Sequence, residues 1–267
     1  MPIEINNLHV RLKNEHILKG VNMRIERKTL LLGPNGSGKT TLIKAILGMI
    51  NIDDGDVIID GRSIKVIKKW IHVMSTNLID AYSILPEDIK SIVKLYEDLL
   101  DLDVGVFNEL VEMFNIKDVL SKTFYEISTG QKKLTALSLA LAARGRYMIL
   151  DEPFEDVDPG RKKKVLDLIL STDSIVMLST HELWMIKLFR DWDCYIMFSG
   201  RAYGPVRVSD LLEAKLVRGH HDNALLTIDV AGEKISIVKG TDEGVPLSEL
   251  SSMEKMFEVL YEAPVAR

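Results

Sequence analysis

Hydrophobic and polar residues alternate near the start of the chain, in two runs at positions 3–12 and 17–25. A period of two is typical of strands that bury one face, so both runs predict strands of an antiparallel sheet. The apolar stretch 29–32 predicts a buried strand, and a glycine-rich segment follows it. Apolar residues then recur at helical spacing, at Leu42, Ile43, Ile46 and Leu47. This part of the chain therefore predicts a strand, a loop and a helix in succession, with another strand at 57–59.

Two amphipathic helices are predicted in the middle of the chain. Pro86 is expected to open the first of them, because proline is tolerated at a helix start. Its apolar positions are 89, 92, 93, 96, 99 and 100. The second helix has its apolar face at Phe107, Leu110, Val111 and Phe114.

Strands and helices alternate beyond that region. Helices are predicted at about 130–144 and 159–171, and short apolar strands at 147–150 and 175–178. This alternation predicts a parallel sheet that is covered by helices on both faces. The helical segment at about 78–130 is therefore interpreted as an insertion into an α/β core.

The last part of the chain has a different pattern. Two apolar runs, 225–230 and 234–238, flank an Ala-Gly pair and predict a hairpin. A final helix is predicted by a capping-box pattern and the apolar residues around it: Ser251, Glu254, Met253, Met256, Phe257 and Leu260. We therefore expect a main domain at 1–205 and a small C-terminal α+β extension at 206–267.

Composition narrows the class of protein. The chain has 267 residues with 46% hydrophobic and 27% charged residues, which is ordinary for a soluble globular protein. A net charge of −5 argues against nucleic acid as a partner, since such binding needs clustered positive charge. The single cysteine excludes an intrachain disulfide and a cysteine-based metal site. With no signal peptide and no apolar run long enough for a membrane span, we expect a cytoplasmic protein.

The glycine-rich segment matches the P-loop pattern G-x-x-x-x-G-K-[ST]. Glycines let backbone N–H groups turn inward around phosphate oxygens, and the next helix presents its positive end to them. Lys39 is expected to reach the β- and γ-phosphates, and the Thr40 hydroxyl to bind Mg²⁺. The alternative, an ordinary turn before a capped helix, is disfavoured because both the strand and the helix flank the loop. The candidate nucleotide-binding residues are Gly33, Pro34, Asn35, Gly36, Ser37, Gly38, Lys39, Thr40 and Thr41.

Two carboxylates follow the apolar strand at 147–150. A carboxylate at such a strand end can hold the Mg²⁺–nucleotide complex of a P-loop NTPase. Adjacent residues of a strand point to opposite sides, so the two can have different roles. Asp151 is the candidate metal ligand, and Glu152 is the candidate group that polarises the attacking water. The alternative is the polar start of a loop, which the P-loop upstream makes a poor explanation.

Further short motifs surround this strand in a specific order. Together with the P-loop, they resemble the ATP-binding subunit of ABC transporters over about residues 1–205. The resemblance adds the residues Ser128, Gly130, Gln131, Val157, Asp158 and His181. It implies that the first three form the signature segment, which contacts the γ-phosphate held by a partner subunit. It also implies a D-loop at Val157–Asp158 and a switch histidine at His181.

Some of these residues also have a purely structural interpretation. Ser128 is a good helix N-cap, and Asp158 followed by Pro159 is a good start for the next helix. Taken singly, each motif carries a real risk of a false match. Their occurrence together and in order favours the functional interpretation.

The resemblance implies a fold and a function. The implied fold class is α/β: a P-loop NTPase core with a parallel sheet, an N-terminal antiparallel β subdomain, an inserted helical subdomain and the C-terminal extension. The implied function is hydrolysis of ATP with Mg²⁺, driven by Lys39, Glu152 and His181. A head-to-tail dimer, either a homodimer or a heterodimer with another ATP-binding subunit, would enclose two ATP molecules. Integral membrane subunits would hold the chain at the inner face of the cell membrane.

The chain departs from the family pattern at three places. Thr129 stands where the signature normally has the first of two glycines. The segment 72–77 lies where the family has a Q-loop, but it contains no glutamine, so either Thr76 or Asn77 takes that place. Leu12 stands where the family has an aromatic residue that stacks on adenine. Base stacking on an aromatic is worth roughly 1–3 kcal/mol in nucleic-acid complexes, so we expect weaker or less base-selective nucleotide binding here.

Two alternative functions remain open at this point. One is a non-transport ATPase of the same fold, although the chain lacks room for long coiled coils between the P-loop and Ser128. The other is a nucleotide-binding regulator that hydrolyses ATP poorly, which the missing Q-loop glutamine and Thr129 favour. The presence of Lys39, Asp151, Glu152 and His181 argues against that second alternative.

Overall fold

The computed structural model describes residues 2–66, 73–230, 232–253 and 255. The chain divides into two compact units. The first unit contains residues 1–66 and 179–267, and the second contains residues 67–178. The predicted division into 1–205 and 206–267 stays a prediction.

The first unit begins with an antiparallel sheet, as the alternating pattern predicts. Four strands lie in the order β2-β1-β4-β5. Ile3 and Ile5 share a buried face of β1 with Leu8 and Val10, so the alternation shifts by one residue between them. The pairing with β2 shifts at the same place, and Asn7 has a φ of +45° there. The elements are β1 (Ile3–Leu12), β2 (Glu15–Ile25), β3 (Thr29–Leu32), α1 (Lys39–Ile46), β4 (Asp54–Ile59) and β5 (Arg62–Ser63).

The second unit has the predicted α/β order. Its strands lie in the order β8-β7-β6, and β6 pairs in parallel with β7. Its elements are β6 (Met74–Thr76), 3₁₀ turns at Ile79–Ala81 and Lys117–Val119, α2 (Ile89–Leu100), α3 (Val104–Met113), α4 (Thr129–Ala142), β7 (Tyr147–Asp151), α5 (Pro159–Ser171) and β8 (Ile175–Thr180). The last two residues of β8 belong to the first unit.

The start of α2 differs from the prediction. The helix begins at Ile89 rather than at Pro86. Asp88 is the N-cap, and its side chain accepts a hydrogen bond from the Ser91 N–H at 2.7 Å. A side chain that satisfies this otherwise unpaired N–H fixes the helix start, and Pro86 lies outside the helix.

The C-terminal part of the first unit adds strands that the sequence pattern did not reveal. Strand β9 pairs in parallel with β3 and antiparallel with β10. A separate sheet has the order β12-β13-β11-β14, and its β12–β13 hairpin confirms the predicted one. The predicted last helix falls mainly on Glu254 and on 256–260, outside the described residues. The elements are a 3₁₀ helix at Leu183–Phe189, β9 (Asp193–Phe198), β10 (Arg201–Arg207), α6 (Val208–Leu212), β11 (Ala214–Arg218), β12 (Ala224–Val230), β13 (Glu233–Lys239), β14 (Val245–Pro246) and a 3₁₀ turn at Leu247–Glu249.

Candidate nucleotide-binding site

The glycines of the P-loop are required by the geometry of the loop. A Cβ atom on Gly33 would lie 2.4 Å from the main-chain oxygen of Met197 and 2.8 Å from the Ser37 Oγ. Gly36 and Gly38 have φ angles of +76° and +104°, a region that favours glycine. The loop therefore turns tightly from the end of β3 to the start of α1.

The start of α1 is suited to an anionic ligand. Gly38 is the N-cap, and no side chain caps the first turn. The first N–H groups of a helix lack partners within the helix and favour anions such as phosphate. The Ser37 Oγ is also buried, and it has no hydrogen-bond partner within the described part of the chain. An orphaned buried hydroxyl beside a helix start fits a phosphate oxygen as its missing partner.

Lys39 is held within the loop. Its side chain is buried, and Nζ donates hydrogen bonds to the main-chain oxygens of Gly33 at 2.7 Å and Pro34 at 3.2 Å. The ammonium group thus stays at the concave side of the loop, where the predicted phosphates would bind. Asn35, Gly36 and Thr40 are exposed, and Thr41 is half-buried.

The two predicted carboxylates lie at the end of β7 in the second unit. Asp151 is the last residue of the strand, and both Asp151 and Glu152 are half-buried. Glu152 has a φ of +44°, a conformation that a residue with a Cβ rarely adopts. This left-handed residue turns the chain sharply away from the strand at the position of the predicted water-activating group.

The two Q-loop candidates have different environments. Thr76 is the buried last residue of β6, and its Oγ1 accepts from the Leu78 N–H at 3.2 Å. The Asn77 side chain bonds the main chain of Asp151 twice: Nδ2 donates to the Asp151 oxygen, and Oδ1 accepts from the Asp151 N–H, both at 2.8 Å. Sequence analysis missed this contact, because no local pattern connects the two positions.

The signature segment forms the start of α4. Ser128 Oγ accepts from the Gln131 N–H at 3.3 Å, and Gln131 Oε1 accepts from the Ser128 N–H at 3.2 Å. This reciprocal pair is a capping box, so the structural interpretation of Ser128 is confirmed. Gln131 Nε2 also donates to the Asp118 carboxylate at 3.2 Å. A Cβ on Gly130 would meet nothing within 4 Å, so packing in the described chain does not require glycine there.

Asp158 begins helix α5 without capping it. It occupies the N-cap position before Pro159, as predicted, but its side chain makes no cap hydrogen bond. The Asp158 carboxylate instead pairs with Arg161 at 3.0 Å. Leu12, the candidate for the adenine position, ends β1 with 40% of its surface exposed.

His181 is joined to the C-terminal part of the chain through the main chain. The His181 oxygen accepts from the Met253 N–H at 3.0 Å, and the Leu183 N–H donates to the Ser251 oxygen at 3.1 Å. The two bonds flank Glu182, whose Oε2 is buried without a partner in the described part of the chain. Sequence analysis did not connect the C-terminal extension with His181.

A glycine-rich loop between a buried strand and a helix, with carboxylates at another strand end, defines a P-loop nucleotide-binding protein. The ABC transporter family profile matches residues 18–155, more than half of the chain. The chain belongs to this family.

Individual relatives agree with the family assignment. The zinc uptake system ATP-binding protein ZurA of Listeria innocua is 27% identical over 70% of this chain and 79% of its own length. The ABC transporter ATP-binding protein YtrB of Bacillus subtilis is 33% identical over 68% of this chain and 64% of its own length. The solved structure of a putative cobalt transport ATP-binding protein is 35% identical, with a TM-score of 0.83, and the match covers 96% of this chain and 99% of that one.

Family membership fixes the general activity. The chain is an ATP-binding subunit of an ABC transporter, and ATP hydrolysis coupled to transport is the work of such subunits. Among the described residues, no helix has the length and apolar character needed to cross a membrane.

Proposed function

We propose that this chain powers its transporter through ATP-driven dimerisation and ATP hydrolysis at the P-loop. The observation that carries the proposal is the P-loop geometry itself. Gly33 leaves no room for a side chain, the first turn of α1 has no side-chain cap, and the Ser37 hydroxyl is buried without a described partner. A glycine-rich loop at a helix start with a buried, unpaired hydroxyl beside it favours an anionic ligand such as phosphate.

The phosphate contacts are proposed to come from the whole loop. The main-chain N–H groups of 33–41 would bind phosphate oxygens, and Lys39 would move from the Gly33 and Pro34 oxygens to the β- and γ-phosphates. The charge of an ammonium is stabilised more strongly by phosphate than by neutral carbonyl oxygens, so this exchange is favourable. Positioning and charge neutralisation supply most of the acceleration in such sites.

Mg²⁺ is proposed to bind the Thr40 hydroxyl and the Asp151 carboxylate. Both are oxygen donors of the kind that this ion prefers. When bound, the ion would neutralise charge on the β- and γ-phosphate oxygens. Asn77 supports this role, because its two bonds hold the main chain from which the Asp151 carboxylate extends.

Glu152 is proposed to polarise the attacking water, and His181 to orient that water and sense the γ-phosphate. The water oxygen attacks the γ-phosphorus, the bond to the bridging oxygen breaks, and that oxygen leaves with ADP. The φ of +44° at Glu152 supports a special role for this residue, because such strain is concentrated at functional sites.

The dimer is proposed to use the signature segment and the D-loop. Ser128, Gly130 and Gln131 would contact the nucleotide of the partner subunit, with Asp158 at the same interface. The free space around Gly130 supports this assignment, since nothing in the described chain occupies it. The partner is either a second copy or another ATP-binding subunit. Integral membrane subunits would hold the dimer on the cytoplasmic face of the cell membrane, and they would select the cargo.

A second candidate function is nucleotide-dependent regulation with little hydrolysis. One observation favours it: both polar atoms of the Asn77 amide are bonded to the main chain of Asp151, so this Q-loop candidate is already engaged. Steady Mg²⁺-dependent ATP turnover that Lys39→Ala abolishes would exclude this candidate. Absence of turnover in the wild-type protein, with intact ATP binding, would support it.

Purification from membranes tests the transport half of the proposal. The tagged full chain would be isolated from detergent-solubilised membranes of its source organism, and its partners identified by mass spectrometry. We expect a polytopic membrane protein at stoichiometric yield. Recovery only from the soluble fraction, either alone or with ribosomes or DNA, would overturn the transport role and leave the ATPase activity standing.

A further inference from the structure

We infer that Asn77 is a positioning residue, which holds the main chain of Asp151 and thereby orients Asp151 and Glu152. This inference rests on the roles of those two carboxylates in the proposed function. It assigns Asn77 a purpose different from that of the glutamine that the family has in this segment.

The side chain of Asn77 continues a strand ladder. Strands β6 and β7 pair through Met74 with Tyr147, Ser75 with Met148 and Thr76 with Ile149. The ladder then ends, because the chain leaves the sheet for the 3₁₀ turn at Ile79–Ala81. Past this point the carboxamide of Asn77 bonds both the N–H and the oxygen of Asp151 at 2.8 Å. A carboxamide offers a donor and an acceptor, as a peptide group does, so it can replace a missing strand residue.

The segment that carries Asn77 is itself fixed. The Tyr82 hydroxyl donates to the Thr76 oxygen at 2.5 Å, and the Tyr82 ring is fully buried and stacked on Phe124 with centroids 5.5 Å apart. Burial raises the pKa of Tyr82 well above its ordinary value, so the hydroxyl keeps the proton that it donates. The Asn77 side chain therefore extends from an anchored main chain rather than from a loose loop.

The bond to the Asp151 oxygen controls the conformation of Glu152. That oxygen belongs to the peptide group that precedes Glu152, and rotation of this group relative to Glu152 is its φ angle. The angle is +44°, which persists only where the surroundings determine it. By bonding the oxygen and the N–H of Asp151 together, Asn77 holds the residue in the orientation from which both carboxylates extend.

The positioning role also explains why the side chain at position 77 has the length of asparagine. Asparagine reaches the main chain of Asp151 with both polar atoms of its amide. A glutamine at the same position is one methylene longer, so its amide would extend past the N–H and the oxygen of Asp151 and could not bond both. Asn77→Gln introduces the amino acid that the family has in this segment, so it distinguishes the role of a Q-loop glutamine from the positioning role of Asn77. This variant supplies a glutamine side chain but breaks the two hydrogen bonds to the main chain of Asp151.

The first test compares turnover of full-length variants. We expect Asn77→Ala and Asn77→Gln to lower kcat for ATP by about tenfold or more, because small displacements of catalytic groups are costly. We expect the KM for ATP to change less than about twofold, since the P-loop is untouched. The matched control is Ser83→Ala, which removes the hydrogen bond from Ser83 to the Ile79 oxygen at 3.0 Å without touching Asp151. Turnover of Asn77→Gln at or above the wild-type rate would overturn the inference.

The second test does not require activity. Hydrogen exchange of the Asp151 amide, measured by mass spectrometry or NMR, should accelerate in Asn77→Ala and stay slow in Ser83→Ala. Unchanged exchange in Asn77→Ala would overturn the inference. If the alanine variant fails to fold, Asn77→Leu serves instead, since it has a similar volume and no acceptor for the Asp151 N–H, and it should show the same faster exchange. A wild-type protein without turnover would contradict the proposed ATPase activity while leaving this second test decisive for Asn77.

Discussion

At the scale of single residues, Gly33 and Gly36 are glycines for different reasons: Gly33 lacks space for a side chain, and Gly36 has a positive φ. A Cβ on Gly33 would meet the main-chain oxygen of Met197 at 2.4 Å, whereas one on Gly36 would meet nothing within 4 Å. Overpacking against main chain costs up to about 3 kcal/mol. A left-handed alanine costs about 1–2 kcal/mol, and the φ of Gly36 is +76°. Urea denaturation should therefore give a larger loss of unfolding free energy for Gly33→Ala than for Gly36→Ala. Equal losses of unfolding free energy would contradict this prediction, because they would show that the main chain at Met197 moves to accommodate the Cβ at little cost.

The aliphatic side chain of Leu12 at the expected adenine position leads to a prediction about nucleotide selectivity. Its exposed aliphatic side chain lacks the π-face on which a base stacks. Stacking on an aromatic is worth about 1–3 kcal/mol, so Leu12→Tyr should tighten ATP binding by about fivefold to more than a hundredfold. Isothermal titration of ATP and GTP would measure this, with Leu12→Ala as the control that adds no ring. Wild-type protein that already binds ATP at low micromolar affinity or better and strongly prefers it to GTP would contradict the prediction.

The residues of the site differ in how far sequence alone could reveal them. The P-loop is contiguous, so its chemistry can be read from one short segment and its neighbours. Ser128 and Gln131 form a capping box within one helical turn, and the sequence predicted its N-cap residue, Ser128. The bonds of Asn77 to Asp151 join positions that are far apart in sequence. No period or spacing encodes such a contact, because only the folded sheet brings the two together.

At the scale of elements, long periodic segments and short continuous apolar runs such as 29–32 and 147–150 were predicted, whereas β5, β6 and β9–β11 were missed. Strands β1 and β2 and helices α2 and α3 are ten to twelve residues long, and apolar residues recur at a regular spacing over most of each. Strand β6 has three residues, too few to display any period. The start of α2 was placed too early, since a single side-chain cap at Asp88 decides it. Local hydrogen bonds therefore set boundaries that a hydrophobic pattern cannot locate.

The contact between the C-terminal extension and the His181 segment gives a prediction for one element. Leu183 is the first residue of the 3₁₀ helix Leu183–Phe189, a position where proline is tolerated. Leu183→Pro would remove the N–H that bonds the Ser251 oxygen. Leu183→Ala keeps that N–H, and both variants lose the buried leucine side chain. Since a typical intramolecular hydrogen bond contributes about 0.5–1.5 kcal/mol to stability, we expect a lower melting temperature for the proline variant than for the alanine variant.

Limited proteolysis would locate the effect. The C-terminal segment around Ser251 should be cleaved faster in Leu183→Pro than in Leu183→Ala if the bond holds it against the segment that carries His181. Identical cleavage and identical melting temperatures would contradict a stabilising role for this contact. Both variants lose the packing of the leucine side chain, and proline also restricts the unfolded chain, which by itself favours stability, so a lower stability of the proline variant reports the lost hydrogen bond.

At the scale of the whole molecule, the C-terminal extension shares a compact unit with the P-loop. The unit that contains 1–66 also contains 179–267. The match to the putative cobalt transport ATP-binding protein covers 96% of this chain, so it includes most of this extension. The extension is therefore part of the unit that contains the P-loop, and removing it would break the two main-chain hydrogen bonds that flank Glu182. Variants with single changes in the full chain are the appropriate tests.

The dimer proposal leads to a prediction for the assembled protein. Glu152→Gln keeps the shape of the side chain and removes the charge that would polarise water, so ATP should bind without being hydrolysed. Light scattering with Mg²⁺ and saturating ATP should then give twice the monomer mass for Glu152→Gln, and the monomer mass with ADP. The double variant Lys39→Ala with Glu152→Gln should stay monomeric, because binding at the P-loop is lost. A monomer of Glu152→Gln at saturating ATP would contradict a homodimer that closes on two nucleotides.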